Sequence, residues 1–345
     1  MSKRTDLALR HERLRQRAEM LSRLRAFFAE RGFLEVETPT LDSEIIPELH
    51  IEPFGVGEVI ASAPQNATNS RTATRSGPGG YEPPASWPSY LLQASPELHM
   101  KRLLCEGLSA IYQVTRSFRH GERGAIHNPE FTMVEWYRTG DGMAAGMTLL
   151  DELCQAVAGA AAARRTNYAE AFRTHVGVDA HRATCDELAA AAGRLKVAVP
   201  EGILADNRDE WLNLLLADVV EPRLGAEQPE ILYDYPASQS ALAVTATRSD
   251  GATVGERFEL YWRGVELANG YHELTDAAAL RSRLKEVNRQ RSADRRPALP
   301  LPERLLAAMT DPGLPACSGC ALGFDRLAML ACGAETIDDV MAFTW

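Results

Sequence analysis

The sequence predicts an α+β fold, a largely antiparallel sheet flanked by helices. Three observations carry that expectation. Strand-type segments return at widely separated points, AIYQVTRSF (110–118), FTMVEWY (131–137), EILYDYP (230–236) and RFELYWRGVELANGYHEL (257–274), so one sheet is assembled from distant parts of the chain. The first two flank a polar, Gly-containing loop, the pattern of a β-hairpin with a long connection. Helical segments, several of them Ala-rich, fill much of the sequence between the strands.

At 345 residues the chain suffices for one large domain or two ordinary ones. Its 45% hydrophobic and 24% charged residues are the mix of a soluble globular protein. The net charge of −10, from 37 basic and 47 acidic residues, weighs against a broad nucleic-acid surface. It leaves room for a local basic patch facing a small phosphorylated ligand. No charge-free apolar run reaches the length of a membrane span, and the N-terminus lacks the apolar core of a secretory signal. A cytoplasmic protein is the simple expectation. The six cysteines are scattered, which points to free thiols. Cys317-x-x-Cys320 could be a redox pair or half a zinc site, but zinc needs two more ligands and no second CxxC exists. Structural thiols are the preferred reading.

Taken in order, residues 4–31 predict one long helix. Met20, Leu21, Leu24, Phe27 and Phe28 recur at helical spacing, and Gly32 follows as a stop. FLEVETPTL then alternates like a half-buried strand until Pro39 interrupts it. Residues 55–90, rich in Gly, Ala, Ser, Thr, Asn and Pro, predict a mobile or partly disordered insertion. Order returns with a strand, a helix with Ser95 as N-cap and Pro96 at its first position, and the hairpin. A helical insertion covers about 143–225, with helices at 143–163, at 184–194 and from Arg208. DAAALRSRLKEVNRQRSADRR is a charged surface helix, and SGCALGFDRLAMLACG reads as strand, Gly turn, helix. There is no internal repeat; the expectation is a single catalytic domain over 1–345.

The hairpin loop is the first candidate site. A long charged loop costs entropy to order and is more often functional than filler. With its return strand it gathers Arg119, Glu122, His127, Asn128, Glu130, Phe131, Glu135 and Tyr137. The plain alternative is a solvated hairpin tip.

Three separated stretches raise that candidate. They are the helix–strand ending at Pro39, Phe118-Arg119 with its loop and Phe131, and GCALGFDRLAML with Arg326. In this order they resemble the three signature motifs of class II aminoacyl-tRNA synthetases. NPEFTMVEWY and ELANGYHELTD resemble the lysyl-tRNA synthetase catalytic domain. The first motif starts within about 20 residues of Met1, too few for an anticodon-binding OB domain, since small domains need about 50 residues. With SPELHMKRLL, the PASQSALA segment and the CSG-x-ALG-x-DRL tail, the chain resembles the elongation factor P–(R)-β-lysine ligase family from about residue 15 to residue 344.

The resemblance implies an enzyme that uses ATP and Mg²⁺ to activate (R)-β-lysine as an aminoacyl-adenylate and passes it to a lysine of elongation factor P. It implies Arg119 and Arg326 as catalytic residues: Arg119 bridges the α-phosphate and the substrate carboxylate, as a planar guanidinium fork suits. Phe131 stacks on adenine with Arg326 on the opposite face, towards the γ-phosphate. His120, Gly121, His127, Asn128, Leu267 and Gly323 complete the ATP site. Ser95, Pro96 and Glu97 meet the substrate amino end, Glu135 and Tyr137 its far ammonium, and Asn269 and Glu273 finish the wall. Glu266 and Glu273 hold Mg²⁺. Seven residues apart, they would fall on opposite faces of a regular strand, and a bulge at Gly270 would restore a shared face. Two departures stand out: Gly121 occupies the place of a usual Glu, and Ala321 replaces the Gly typical of the synthetase. A homodimer through the first motif is expected; stable tRNA binding and membrane association are not. The alternatives are a lysyl-tRNA synthetase-like enzyme acting on α-lysine and a catalytically silent regulatory paralogue.

Overall fold

The computed structural model describes residues 3–57, 90–200 and 205–344. α1 (Lys3–Glu30) opens the chain and buries Met20, Leu24, Phe27 and Phe28 as one stripe. Gly32, at φ +75°, takes the left-handed conformation just past the helix end. The strand after it is shorter than expected. β1 (Leu34–Glu35) makes only a two-residue parallel pairing, with Ile111 and Tyr112. β2 (Leu41–Asp42), β3 (Gly55–Val56) and β4 (Tyr90–Leu92) form a small separate sheet. The expected mobile insertion at 55–90 lies, apart from its ends, outside the described residues.

α2 (Glu97–Cys105) begins one residue later than the sequence suggests. Pro96 is its cap, and the Ser95 hydroxyl accepts from the Glu97 amide at 3.1 Å while donating to Glu135 at 2.6 Å. Ser95 thus turns its proton to a second task. β5 (Ala110–Phe118) and β6 (Glu130–Thr139) make the expected hairpin, in continuous register from Ala110–Arg138 to Phe118–Glu130. α3 (Met143–Ala158) follows. The segment expected to be a helical insertion also holds a strand, β7 (Arg164–Asn167), before α4 (Tyr168–His175), α5 (Cys185–Leu195) and α6 (Arg208–Leu215). RRTN has no apolar alternation to betray it, because β7 is an edge strand held in parallel by β8 (Glu230–Pro236). β9 (Thr245–Thr247), β10 (Thr253–Trp262), β11 (Val265–His272), α7 (Ala277–Ala293), α8 (Glu303–Ala308), β12 (Cys317–Gly323) and α9 (Phe324–Ala331) complete the chain.

The main sheet runs β1-β5-β6-β12-β11-β10-β8-β7, with β9 on β10. Its interior pairs are antiparallel and its two outer pairs parallel. The strand period of two divides its chemistry. Val134 and Trp136 of β6, Leu260 of β10 and Leu322 of β12 pack with α1, α3 and α9 in the main core. Each such buried large side chain contributes roughly 1.5–3 kcal/mol. The alternating set, Phe131, Met133, Glu135 and Tyr137, points to the other face. There α2, α7 and α8 pack a second core around Ile111, Tyr137 and Cys317. Cys317 and Cys320 belong to these opposite cores, which separates the CxxC pair; both thiols are free and buried, and burial pushes both up.

Candidate active site

The face of the sheet away from α1 carries a cleft of about 280 Å³. Register explains its contents. Across the strands one row reads Glu135, Ala321, Asn269, Glu259; the next reads Tyr137, Gly319, Tyr271, Arg257. Past Cys317, which packs in the second core, β12 therefore sends Gly319, Ala321 and Gly323 to this face, a floor without bulk between walls of large side chains.

The hairpin loop forms one end. The Arg119 amide donates to the Pro129 carbonyl at 2.9 Å, and Gly124 and His127 close a small bridge within the loop. Arg123 pairs with Asp338 at 2.8 Å and the Ile337 amide donates to the Ala125 carbonyl, tying the loop to the C-terminal segment. Gly121 sits at φ +79° in open space. The Glu usual in the family would be strained in that backbone, so the Gly is set by loop conformation here. Glu122 lies 3.9 Å from Arg119.

Arg119 stands over the Phe131 ring, 5.1 Å from its centroid. Arg326, two residues into α9, donates to the Ile126 carbonyl at 3.1 Å and the Glu266 carbonyl at 2.7 Å, and meets His127 Nε2 at 2.5 Å. Burial, then the Arg326 charge, lowers the His127 pKa, so the ring accepts as neutral imidazole. Asn128 donates to the Glu130 carbonyl at 2.6 Å. Arg119, His127, Asn128, Phe131, Glu266, Leu267, Gly323 and Arg326 line this end together. His120 and Gly121 do not line it; the His120 ring packs on Phe54 at 5.0 Å.

The other end is a closed acidic pocket. Ser95, Glu97 and Asn269 line the cleft, whereas Glu135, Tyr137 and Glu273 lie behind its surface and are at most 3% exposed; Pro96 caps α2 outside it. The Tyr137 hydroxyl donates to Glu135 at 2.6 Å, as does Ser95. Burial and the Glu97 charge push the Glu135 carboxyl up to about 8. Burial also pushes Glu273 up to about 7, against the pull of Lys101. Lys101 ion-pairs with Glu97 at 2.5 Å and Glu273 at 2.6 Å. The sequence reading passed over Lys101, although its i,i+4 spacing from Glu97 on α2 is the spacing of a helical ion pair. Gly319 was passed over too: a Cβ there would meet the Tyr137 ring at 2.2 Å and a Glu273 carboxylate oxygen at 2.5 Å. Gly319→Ala is expected to displace both. Overpacking costs ~1–3 kcal/mol, read as about a ten-fold or greater rise in KM for the amino acid with KM for ATP unchanged.

The pairing of Glu266 with Glu273 on one metal is corrected by the geometry. A bulge does bring them to one face, but at Leu267, where β10–β11 register slips, and not at Gly270. Gly270 is regularly paired, with the Phe258 ring packed where a side chain would go. At ~3.3 Å per residue their backbone positions lie about 20 Å apart along β11, and the Glu273 carboxylate is turned to Lys101 at 2.6 Å rather than to an ion shared with Glu266. Glu273 belongs to the Lys101 pocket and Glu266 to the arginine end. The second carboxylate acting on Glu266 is Glu259, held by the Tyr235 and Tyr261 hydroxyls at 2.5 Å and by Arg257. Loss of solvent in the cleft and the Glu259 charge push Glu266 up to about 7. Among the described residues no three His, Cys, Asp or Glu side chains form a self-sufficient metal cluster. No helix among the described residues is long and apolar enough to cross a membrane.

Comparison with known proteins gives the family. Residues 7–345 match the family model described as tRNA synthetases class II (D, K and N). The chain is 44% identical over 334 residues to the elongation factor P–(R)-beta-lysine ligase of Edwardsiella ictaluri, covering 96% of this chain and 94% of that protein. It is 42% identical over 331 residues to the proteins of the same name from Salmonella paratyphi B and Salmonella schwarzengrund, with the same coverage. The chain therefore belongs to the class II tRNA synthetases (D, K and N) and, within them, to the family of the elongation factor P–(R)-β-lysine ligases.

Proposed function

We propose that this protein activates (R)-β-lysine with ATP and transfers it to a lysine side chain of elongation factor P. The observation that carries the reading is the two-ended cleft: Arg119 and Arg326 at one end, and at the other the carboxylate of Glu97 on the wall with those of Glu135 and Glu273 buried behind it. A substrate with a carboxylate at one end and ammonium groups at the other matches that polarity. Its carboxylate oxygen attacks the α-phosphorus, the bond to the β,γ-pyrophosphate breaks, and pyrophosphate leaves. Arg119 steadies the charge that develops on the phosphoryl oxygens. In the second step the neutral amine of the acceptor lysine attacks the acyl carbon, AMP departs, and the new amide sheds a proton. Glu266, with Glu259 behind it, would hold Mg²⁺, which would neutralise phosphate charge. Phe131 offers its ring to adenine.

ATP–pyrophosphate exchange tests the first step. Exchange that depends on (R)-β-lysine is expected, with α-lysine poorer because Ala321 places a methyl on the cleft floor. No exchange with either lysine would contradict the reading and favour a silent paralogue. A cytoplasmic homodimer accompanies it: Leu7, Leu9 and Leu34, on and beside α1, are about half exposed, as an uncovered interface would leave them.

The raised carboxyls set the pH dependence. Glu135 and Glu273 are protonated in the free pocket below about 8 and about 7, and ammonium groups bind their ionised forms. Binding of (R)-β-lysine is therefore expected to release protons and to strengthen from pH 6 to pH 8.5. Calorimetry in buffers of different ionisation heat measures this. The stability sign is opposite: these carboxyls bind protons more tightly folded than unfolded, so the free protein loses stability as pH rises from about 4.5 through 8. The ligand-induced rise in Tm should accordingly be larger at pH 8.5 than at pH 6.

A further inference from the structure

Lys101 is the feature that the proposed chemistry leaves unused. Its side chain is 2% exposed, in the pocket assigned to a substrate's ammonium groups. It spans Glu97 and Glu273 and lies 5.9 Å from the centroid of the Tyr137 ring. The third carboxylate, Glu135, has hydroxyl donors from Ser95 and Tyr137 at both of its oxygens. The chain has only four lysines among its 37 basic residues. A compact ammonium at this place, in a chain that otherwise uses Arg, fits a point charge between two carboxylates better than a planar fork would. Burial would push the ammonium down; the Glu273 and Glu97 charges outweigh it and hold Lys101 charged. A nucleophilic role, such as acceptor of the activated acyl group, is therefore disfavoured.

Three ionised carboxylates with one resident ammonium would leave two negative charges, so the free pocket keeps protons on Glu135 and Glu273 until a cationic ligand replaces them. Buried charge is tolerated only when paired. We propose that Lys101 is a specificity-determining residue: a built-in ammonium that occupies one of three places in the carboxylate pocket, fixes Glu97 against Glu273, and leaves charge for a substrate with two ammonium groups. A substrate with one ammonium would leave a buried carboxylate uncompensated, and one with none would leave two. This inference rests on the amino-acid-activating reading of the same cleft.

The test compares the full-length protein with Lys101→Met in ATP–pyrophosphate exchange, using (R)-β-lysine and the β-amino acid that lacks the distal amine. In the unaltered protein the diamino acid should be strongly preferred. In Lys101→Met, Glu273 loses its cation and takes up a proton. KM for (R)-β-lysine should rise about ten-fold or more, as for breaking a buried pair, with KM for ATP unchanged and the preference over the mono-amino acid reduced. Ethylammonium should restore part of the loss in Lys101→Ala. An active Lys101→Met with unaltered KM and preference would overturn the inference. An unaltered protein without exchange would instead overturn the activating reading itself. Should both variants fail to fold, ¹⁵N-lysine spectra of the unaltered protein decide. A protected Lys101 ammonium signal that persists when (R)-β-lysine saturates the site is expected; its loss, or its shift to the solvent-exposed value, overturns the inference.

Discussion

Arg119→Ala should lower kcat for (R)-β-lysine-dependent exchange by about 10²–10³, the usual consequence of removing one aimed donor from a developing oxyanion. The guanidinium is positioned by its own backbone, through the bond from its amide to Pro129, and by the Phe131 ring beneath it. Its Nε is buried with no hydrogen-bond partner among the described residues, so the side chain holds donor capacity for a ligand. Fold stability should change little, because its ion pair with Glu122 is loose at 3.9 Å. Arg119→Lys should recover only part of the rate, since a point charge cannot grip a phosphate and a carboxylate with one planar fork. Single-turnover adenylate formation measures the effect on chemistry alone. A variant at or near full rate would place the reaction elsewhere in the cleft.

The second large effect separates two glutamates that lie on one strand. Glu266→Gln should raise the Mg²⁺ concentration needed for half-maximal exchange at least ten-fold, a loss of the size seen when metal-site partners are removed. KM for the amino acid should hold. Glu273→Gln should do the reverse, raising KM for (R)-β-lysine while leaving the Mg²⁺ requirement unchanged, because its carboxylate serves Lys101. A shared shift in the Mg²⁺ requirement would restore the original pairing of Glu266 with Glu273 and contradict the separation along β11.

That pairing shows how far a one-dimensional pattern reaches. The hairpin, the long first helix and the antiparallel interior of the sheet follow from periodicity, since each strand buries one face against a helical layer. The residues at the arginine end were legible through the resemblance rather than through periodicity: Arg119, Phe131 and Arg326 belong to the motifs that carry it, and all three line one end of the cleft. Glu266 and Glu273 were misjudged as a metal pair because the bulge lies at Leu267, and nothing in ELANGYHE marks Leu267 above Gly270. β7 escaped because an edge strand needs no apolar alternation. Lys101 and Gly319 escaped because their importance comes from what packs beside them, Glu273 on another strand and Tyr137 on a third. Gly121 was legible as a departure, but its cause, a left-handed loop backbone, was not.

The central claim is that the activated amino acid goes to a protein. The direct measurement is intact-mass spectrometry of elongation factor P after incubation with this enzyme, ATP, Mg²⁺ and (R)-β-lysine, alongside a matched incubation with tRNA. The account predicts one β-lysyl adduct on a single lysine of elongation factor P, dependent on Arg119, and no acid-precipitable label on tRNA. Charged tRNA with unmodified elongation factor P would contradict it.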